Sequence, residues 1–343
     1  MEQEVPSRDA ATGTSERRYP KPRRLAVLTA GGDAPGMNAA IRAVVRTAAA
    51  AGVEALGAQR GFEGLIYGNF KDMGGRAVAN IIQRGGTILE TSRSGEFRTP
   101  SGRARATEDL RYRGVEALVV IGGDGALLGS AAFAAESGMN VMFIPASIDN
   151  DVPGTDYSIG FDTAVNTALQ CIDRIRDTAF PFERVFIIEV MGRDSGFIAL
   201  EVALGGGAEA VVVPEFEFNV EELCLRIEQS HRRGKRSSII VVSEGPRTGG
   251  ALAIAGAMKQ RLGVEPRVVV LGHIQRGGAP TSRDRLLASR MGAAAVQAVI
   301  DGHPPALVGE ERGAIVYSPL SEVVGKPRRL DPELFKLVDV LAT

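Results

Sequence analysis

The chain has 343 residues, of which 44% are hydrophobic and 24% charged, and its 40 basic and 41 acidic side chains give a net charge of −1. This balance excludes the overall positive field that draws proteins to nucleic acid or anionic membranes. No run approaches the ~18 apolar residues needed to cross a bilayer. At ~100–200 residues per domain, the length predicts two domains.

The first 22 residues are polar and contain Pro6, Pro20 and Pro22. They lack the apolar segment of a secretory signal, so we expect a disordered tail on a cytoplasmic protein. The two cysteines, Cys171 and Cys224, form no CxxC or metal-ligand spacing. Reduced thiols agree with a cytoplasmic location.

Short apolar runs alternate with longer helix-like segments in the rest of the chain. The apolar runs predict strands buried on both faces, at 25–28, 117–121, 141–144, 185–190, 210–213, 239–242 and 268–271. Helices are predicted at 38–50, 163–176, 221–232 and 281–300. This alternation indicates an α/β fold with mainly parallel sheets, whose ligands bind at the carboxyl ends of the strands.

The first strand is followed by a glycine-rich run, 31–38, that leads into a helix. Glycines here can expose backbone N–H groups at a helix N-terminus, which is an anion site. The run matches neither a Walker A loop nor GxGxxG. A tight strand-to-helix turn without a ligand remains the alternative.

The run 122–126, Gly-Gly-Asp-Gly-Ala, follows the second predicted strand. Its glycines remove side chains where a phosphate chain would lie, and the Asp124 carboxylate can hold Mg²⁺. The run predicts binding of a phosphoryl donor without naming the acceptor.

Ser147, Asp149 and Asp151 follow the next strand at alternate positions. In an extended segment their side chains would point the same way. One carboxylate could then accept a hydroxyl proton while another lies near a metal at Asp124. A solvated turn rich in Asp and Asn is the alternative.

Arginines flank two further strands. Arg193 and Arg276 lie in glycine-bounded runs after them, and Arg184 and Arg267 stand at their starts. Paired arginines bind phosphate. His273 lies three residues before Arg276 and is either part of that phosphate site or a structural histidine.

The runs 31–38, 122–125, 148–151, 154–157, 191–193 and 272–278 resemble the 6-phosphofructokinase family in order and spacing, over residues 23–325. The resemblance implies two Rossmann-like α/β domains with the active site in the cleft between them. The larger, ATP-binding domain would hold residues 23–160 and about 273–323. The smaller, sugar-phosphate-binding domain would hold about 161–272 and 324–343.

The resemblance also implies transfer of a phosphoryl group from MgATP to the 1-hydroxyl of fructose 6-phosphate. The catalytic set would be Asp149 as general base with Arg193, Arg93 and Gly31, and Asp124 and Asp151 would hold Mg²⁺. ATP would contact Gly31, Arg93, Ser94, Gly122, Gly123, Asp124, Gly125 and Ala126. Fructose 6-phosphate would contact Ser147, Asp149, Asp151, Arg184, Met191, Gly192, Arg193, Glu244, Arg267, His273 and Arg276. Arg184 and Arg267 would reach into a neighbouring subunit's site, which implies a homotetramer.

The family divides by phosphoryl donor, and Gly125 favours ATP. Pyrophosphate-dependent members resemble one another in having Asp where this chain has Gly125 and Lys where it has Ala146. Those larger side chains would fill the space that the α-phosphate of ATP needs. Ala146, where ATP users usually have Gly, leaves the pyrophosphate-dependent reading open. Ser147 keeps the hydroxyl of a usual Thr, whereas Ala126 loses that of a usual Ser.

A basic effector site for ADP or phosphoenolpyruvate is also implied, at Arg42, Arg46, Arg176, Glu209, Arg233 and Lys235. Asn69 stands where a further arginine of that site is expected, which predicts a weakened response. Surface arginines without a ligand are the alternative. Two other classes remain. A catalytically silent sugar-phosphate sensor would lack Asp149 or Asp124, and a NAD or lipid kinase would lack His273 and Arg276.

Overall fold

A computed structural model describes residues 19–179, 184–235, 237–245, 249–263 and 265–342. Its first half contains β1 (Arg24–Ala30), α1 (Met37–Ala50), β2 (Glu54–Ala58), α2 (Phe62–Tyr67), β3 (Phe70–Asp72), α3 (Pro100–Tyr112), β4 (Ala117–Gly122), α4 (Asp124–Ser137), β5 (Asn140–Pro145) and α5 (Phe161–Ala179). Its second half contains β6 (Val185–Val190), α6 (Phe197–Gly205), β7 (Ala210–Val212), α7 (Val220–Arg232), β8 (Ser238–Ser243), α8 (Gly250–Leu262), β9 (Arg267–Val270), α9 (Ser282–Ile300), β10 (Ala306–Glu311), β11 (Ala314–Pro319), α10 (Leu320–Val323) and α11 (Pro332–Leu341).

The strands form two sheets. The larger has seven strands in the order β11-β10-β5-β4-β1-β2-β3, and the smaller has four in the order β7-β8-β6-β9. The smaller sheet is parallel throughout. The larger is parallel except at its edges, where β3 and β11 pair antiparallel. The predicted α/β class with mainly parallel sheets is therefore confirmed.

The continuous apolar runs form the centre of each sheet because both of their faces are covered. Every residue of β4 and β5 is buried. Alternate residues of β1 pack into separate cores, with Leu25 on one face of the sheet and Leu28 on the other. Helices α1 and α9 pack together over the first of these faces. Such strands bury nearly all their apolar surface, the main stabilising term in folding.

All the predicted strands and helices are found, with no end shifted by more than three residues. Strands β2, β3, β10 and β11 were not predicted. β11 alternates exposed and half-buried residues, which is typical of an edge strand with only one covered face. Within the described residues, no helix is long and apolar enough to span a membrane.

The predicted domain limits stay a prediction, although each sheet draws on separate parts of the chain. The larger takes strands from residues 24–145 and 306–319, and the smaller from 185–270. Residues 1–18 of the predicted tail lie outside the described part. Pro22 is buried, and Lys21 donates to the carbonyl of Ala51 over 2.8 Å, so this end of the predicted tail contacts the fold.

Candidate active site

The loops that follow the central strands meet at one large cleft. β1, β4 and β5 are neighbours and parallel, so their carboxyl ends share an edge of the larger sheet. The cleft has a volume of about 1560 Å³. It is lined by many of the predicted residues: Gly31, Arg93, Ser94, Gly123, Asp124, Gly125, Ala126, Ser147, Asp149, Asp151, Arg193 and Arg276. The donor, metal and base residues predicted from separate motifs therefore lie in one place.

The segment 147–151, here called the aspartate loop, is folded by its own hydrogen bonds. Ser147 Oγ donates to Asp151 Oδ1 over 3.2 Å and accepts from the Asp149 backbone N–H over 3.2 Å. Asn150 between the two aspartates has a φ of 54°, in the left-handed region. The loop is a tight turn and not the extended segment that the alternate spacing suggested.

Asp149 is buried, with 5% of its surface exposed. Its Oδ1 is buried and finds no hydrogen-bond partner among the described residues. Burial raises the pKa of this carboxyl to about 6, and the charge of Asp151 contributes to the increase, whereas Arg276 and Arg193 oppose it. An unpaired buried carboxylate with a pKa near neutrality is the state expected of a proton acceptor.

Asp124 begins α4 and lines the cleft together with Asp151. Partial burial raises the pKa of Asp124, and the negative charge of Asp151 adds to the shift. Two carboxylates that repel each other favour a cation between them. The described residues contain no cluster of three or more His, Cys, Asp or Glu side chains that could hold a metal. The pair of carboxylates at Asp124 and Asp151 nevertheless fits Mg²⁺, because this ion takes one or two carboxylates and completes its shell with phosphate oxygens and water.

Arg193 is held in a strained conformation at the opposite wall. Its φ is 56°, and its backbone N–H donates to Glu244 Oε1 over 3.2 Å. A Cβ on Gly245 would lie 2.4 Å from the Arg193 carbonyl oxygen, so this close approach requires glycine. The loops after β6 and β8 are thus locked together, and Arg193 and Glu244 come from one rigid unit.

At the end of the cleft where the phosphoryl donor is predicted to bind, two glycines allow neighbouring groups to approach the backbone closely. A Cβ on Gly32 would lie 2.7 Å from Arg276 Nη1, which donates to the Asp33 carbonyl over 3.4 Å. A Cβ on Gly122 would lie 2.5 Å from the Ala30 carbonyl oxygen. Gly125 faces open space instead, because a Cβ on this residue would meet no atom within 4 Å. Its lack of a side chain is therefore not needed for packing.

The sequence matches one known protein family over most of its length. The family described as Phosphofructokinase matches residues 24–299. The chain belongs to the phosphofructokinase family. The ATP-dependent 6-phosphofructokinase 1 of Thermus thermophilus is 56% identical over 93% of this chain and 99% of its own length. The ATP-dependent 6-phosphofructokinase of Shouchella clausii is 47% identical over the same shares.

Solved phosphofructokinases have the same two-domain fold. The structure of phosphofructokinase from Saccharomyces cerevisiae gives a TM-score of 0.83 at 34% identity and covers 88% of this chain, which spans 45% of the yeast chain. The pyrophosphate-dependent phosphofructokinase from Marinobacter aquaeolei gives 0.80 at 24% identity, covering 91% of this chain and 86% of its own. At that identity the likeness concerns the fold alone.

Three predicted sugar-phosphate residues of the chain lie at or beyond the ends of the smaller sheet. Arg184 precedes β6 and Arg267 begins β9, at the amino ends of these parallel strands. β6 has six residues and spans about 20 Å, and β9 has four and spans about 13 Å, so each arginine lies at the end of its strand that faces away from the cleft. His273 is exposed in the 3₁₀ turn Gly272–Arg276 after β9.

The predicted effector residues fall into two groups. Arg42 and Arg46 lie on α1. Near the smaller sheet, Lys235 Nζ pairs with the buried Glu209 Oε1 over 3.0 Å and donates to the Ala342 carbonyl over 3.2 Å. Arg176 donates to the carbonyl oxygens of residues 206 and 207. Arg233 follows α7 and is exposed.

Sequence reasoning missed two features of the site. Gln275 is fully buried, and its Oε1 accepts the Met191 backbone N–H over 2.8 Å, which fixes the loop after β6. Phe62 and Phe97 stack at the cleft wall with ring centroids 4.0 Å apart. The sequence gave no local signal for Gln275. For the stacked phenylalanines, the only signal was that Phe62 directly follows a glycine.

Proposed function

We propose that the chain phosphorylates the 1-hydroxyl of fructose 6-phosphate with MgATP, giving fructose 1,6-bisphosphate and ADP in glycolysis. The observation that carries this proposal is the buried, unpaired Asp149 carboxylate beside Asp124, Asp151 and Arg193 in one cleft. The names of the relatives at 47–56% identity support the same reaction. Phosphoryl transfer depends mainly on alignment and charge neutralisation, which these residues can supply.

Asp149 accepts the proton of the sugar hydroxyl in this proposal. The hydroxyl oxygen then forms a bond to the γ-phosphorus, the bond to the bridging oxygen breaks, and ADP leaves with those electrons. The raised pKa of Asp149, about 6, keeps the carboxylate ionised at neutral pH yet basic enough to take a proton.

Asp124 and Asp151 would hold Mg²⁺, which when bound neutralises charge on the donor phosphates. Arg93 and Arg193 would stabilise the transferring group, and backbone N–H groups at Gly31 would face the phosphates. Ser94, Gly122, Gly123, Gly125 and Ala126 would complete the ATP site. The positions of Arg93, Gly31 and Asp124 on the cleft wall support this assignment.

The sugar would lie between the aspartate loop and the smaller sheet. It would contact Ser147, Asp149, Asp151, Met191, Gly192, Arg193, Glu244, His273 and Arg276 of its own chain. Arg184 and Arg267 would serve a neighbouring subunit in a cytoplasmic, allosterically regulated homotetramer. Their positions at the amino ends of β6 and β9, away from the cleft-facing ends of these strands, support the shared site. We also propose that residues 23–160 and about 273–323 form the larger, ATP-binding domain, and that about 161–272 and 324–343 form the smaller one.

ATP is the proposed donor because Gly125 leaves open space where pyrophosphate-dependent members carry Asp. The pyrophosphate-dependent reaction is the second candidate, which Ala146 in place of the usual glycine leaves open.

A direct assay distinguishes the two donors. Purified protein is mixed with fructose 6-phosphate and either MgATP or Mg-pyrophosphate, and the products are followed by ³¹P NMR. We expect fructose 1,6-bisphosphate with MgATP only, and no turnover after chelation of Mg²⁺. Turnover with pyrophosphate but not with MgATP would refute the donor assignment, and no turnover with either would refute the enzyme assignment.

A further inference from the structure

The aspartate loop depends on one unusual backbone conformation. Asn150 has a φ of 54° and lies directly between Asp149 and Asp151. Residues in this region persist only when their surroundings hold them there. Because Asn150 connects the two cleft carboxylates, its conformation sets their separation and direction.

The side chain of Asn150 supplies part of this support. Its Oδ1 accepts the backbone N–H of Ser158 over 2.9 Å, and its Nδ2 donates to the Asp156 carbonyl over 3.3 Å. These bonds tie the loop to the following segment. These side-chain bonds do not fix the backbone carbonyl of Asn150. That carbonyl must also keep one direction if the turn is to be maintained.

Arg328 holds that carbonyl from a distant part of the chain. Its Nη1 donates to the Asn150 carbonyl over 2.7 Å, and its Nη2 donates to the Asp156 carbonyl. Its guanidinium lies 4.7 Å from the ring centre of Phe197. Arg328 thus bridges two carbonyls with a rigid, planar fork, which a lysine cannot reproduce.

The segment that carries Arg328, residues 324–331, is here called the strap. It joins α10, which packs against β10 and β11, to α11, which packs against α6 and β7. Phe197 begins α6. Arg328 therefore links the aspartate loop, at the end of the larger sheet, to a helix of the smaller sheet.

We propose that Arg328 is a positioning residue, which fixes the turn at Asn150 and through it the separation of the Asp149 and Asp151 carboxylates. The inference rests on the proposed kinase function. Nη1 and Nη2 of Arg328 each donate to a backbone carbonyl, which ties its guanidinium to the aspartate loop at the wall of the cleft. A misplacement of about 1 Å at a reacting group can cost about 100-fold in rate.

Arg328→Ala tests the proposal, with Arg113→Ala as its matched control. Arg113 also lies 4.7 Å from a phenylalanine ring, that of Phe70, and also donates to a backbone carbonyl, that of Gly68, over 2.9 Å. It therefore matches the ring and carbonyl contacts of Arg328 at a distance from the aspartate loop, and it differs in also pairing with Asp109 over 2.7 Å. For each variant, kcat, the KM for fructose 6-phosphate and the thermal midpoint are measured with MgATP.

We expect kcat of Arg328→Ala to fall by about 10- to 100-fold, with KM within about threefold and a thermal midpoint no lower than that of Arg113→Ala. Arg328→Lys, which keeps the charge, should recover only part of kcat. If Arg328→Ala does not fold, Arg328→Lys carries the test alone: lowered kcat supports the proposal.

Wild-type kcat in Arg328→Lys, or a kcat of Arg328→Ala equal to that of Arg113→Ala, would overturn the inference. So would a raised KM with unchanged kcat. These outcomes differ from failure of the proposed function, in which the wild-type protein itself does not turn over fructose 6-phosphate with MgATP.

Discussion

Two aspartates of this chain are buried to a similar degree but differ in the hydrogen bonds that their carboxylates accept. Asp149 in the aspartate loop and Asp284 in the first turn of α9 are 5% and 1% exposed, and burial raises the pKa of each to about 6. Asp284 accepts from Gly160 N–H and Thr163 N–H over 2.9 Å each and from Thr163 Oγ1 over 2.5 Å. The Oδ1 of Asp149 has no partner among the residues described.

This difference separates a structural carboxylate from a reactive one. Burial and a shifted pKa are common to both, so neither marks a site by itself. What distinguishes Asp149 is that the fold leaves its carboxylate unpaired at the cleft wall. Its desolvation is a cost to folding that the rest of the structure offsets. Asp284 therefore serves as an internal reference for Asp149.

The largest expected effect is on catalysis at Asp149. Asp149→Ser should lower kcat by about 100- to 10,000-fold, because the proton acceptor is lost. Binding of fructose 6-phosphate should largely survive, since the loss falls on the transition state. Steady-state kinetics and calorimetric titration of the sugar phosphate measure both. In the control variant Asp284→Asn, kcat per folded enzyme should change by less than about threefold. A near-normal kcat in Asp149→Ser would remove this residue from the role.

The next effect concerns the donor. Gly125→Asp places a carboxylate in space that is open in this chain, where the phosphates of ATP are proposed to lie. Charge repulsion should lower kcat/KM for MgATP by at least about tenfold, or about 1.4 kcal/mol. Gly125→Ala adds one methyl without charge and should cost less. Equal losses in both variants would indicate that bulk and not charge is decisive.

Stability should respond differently to substitution at the two aspartates. The folded-state pKa of Asp149 is raised from 3.8 to about 6, so its charged form destabilises the fold as pH rises through that interval. Asp149→Asn should therefore stabilise the protein by about 2–3 kcal/mol above pH 6 and by little below pH 4. Asp284→Asn relieves a similar burial cost but sets an amide N–H against the donor of Gly160 or those of Thr163, so at pH 7 it should stabilise the protein by about 1–3 kcal/mol less than Asp149→Asn does. Denaturant unfolding of both variants at pH 4 and pH 7 measures these shifts.

The smallest effect concerns the predicted effector site. Asn69 stands where an arginine is expected, and Lys235 and Glu209 pair with each other. Asn69→Arg should strengthen ADP binding by about 1.5–3 kcal/mol, roughly 10- to 100-fold. Asn166→Arg, which adds the same charge to an exposed position on α5, is the control. Strong ADP activation in the unaltered protein would contradict the predicted weakening.

Most of the fold that positions the site could be predicted from the sequence. β4 and β5 are buried on both faces, so their sequences are continuously apolar and easy to identify. Because parallel strands end at one edge, the loops after them could be placed together from the sequence alone. Asp124 and Asp149 were predicted in this way and line the same cleft.

The contacts that orient the site could not be predicted, because they join residues remote in sequence. Arg328 and Asn150 are 178 positions apart, and Gln275 and Met191 are 84 apart. Nothing in the local sequence of Arg328 distinguishes it from the neighbouring Arg329. Its role emerges only when the strap packs against α6 and brings the guanidinium to the aspartate loop.

The pH dependence of kcat/KM for fructose 6-phosphate tests the central claim most directly, because it reports the ionisation of the free enzyme. In wild-type protein and in Asp284→Asn, kcat/KM should fall about tenfold per pH unit below about pH 6 as Asp149 becomes protonated. The sugar phosphate also titrates near pH 6 and contributes to the limb in every variant, so the difference between wild-type protein and Asp149→Asn identifies the group. We predict that the acid limb of this variant is less steep than that of wild-type protein, because only the contribution of the substrate remains. The same limb in Asp149→Asn, or its loss in Asp284→Asn, would contradict the assignment of Asp149 as the proton acceptor.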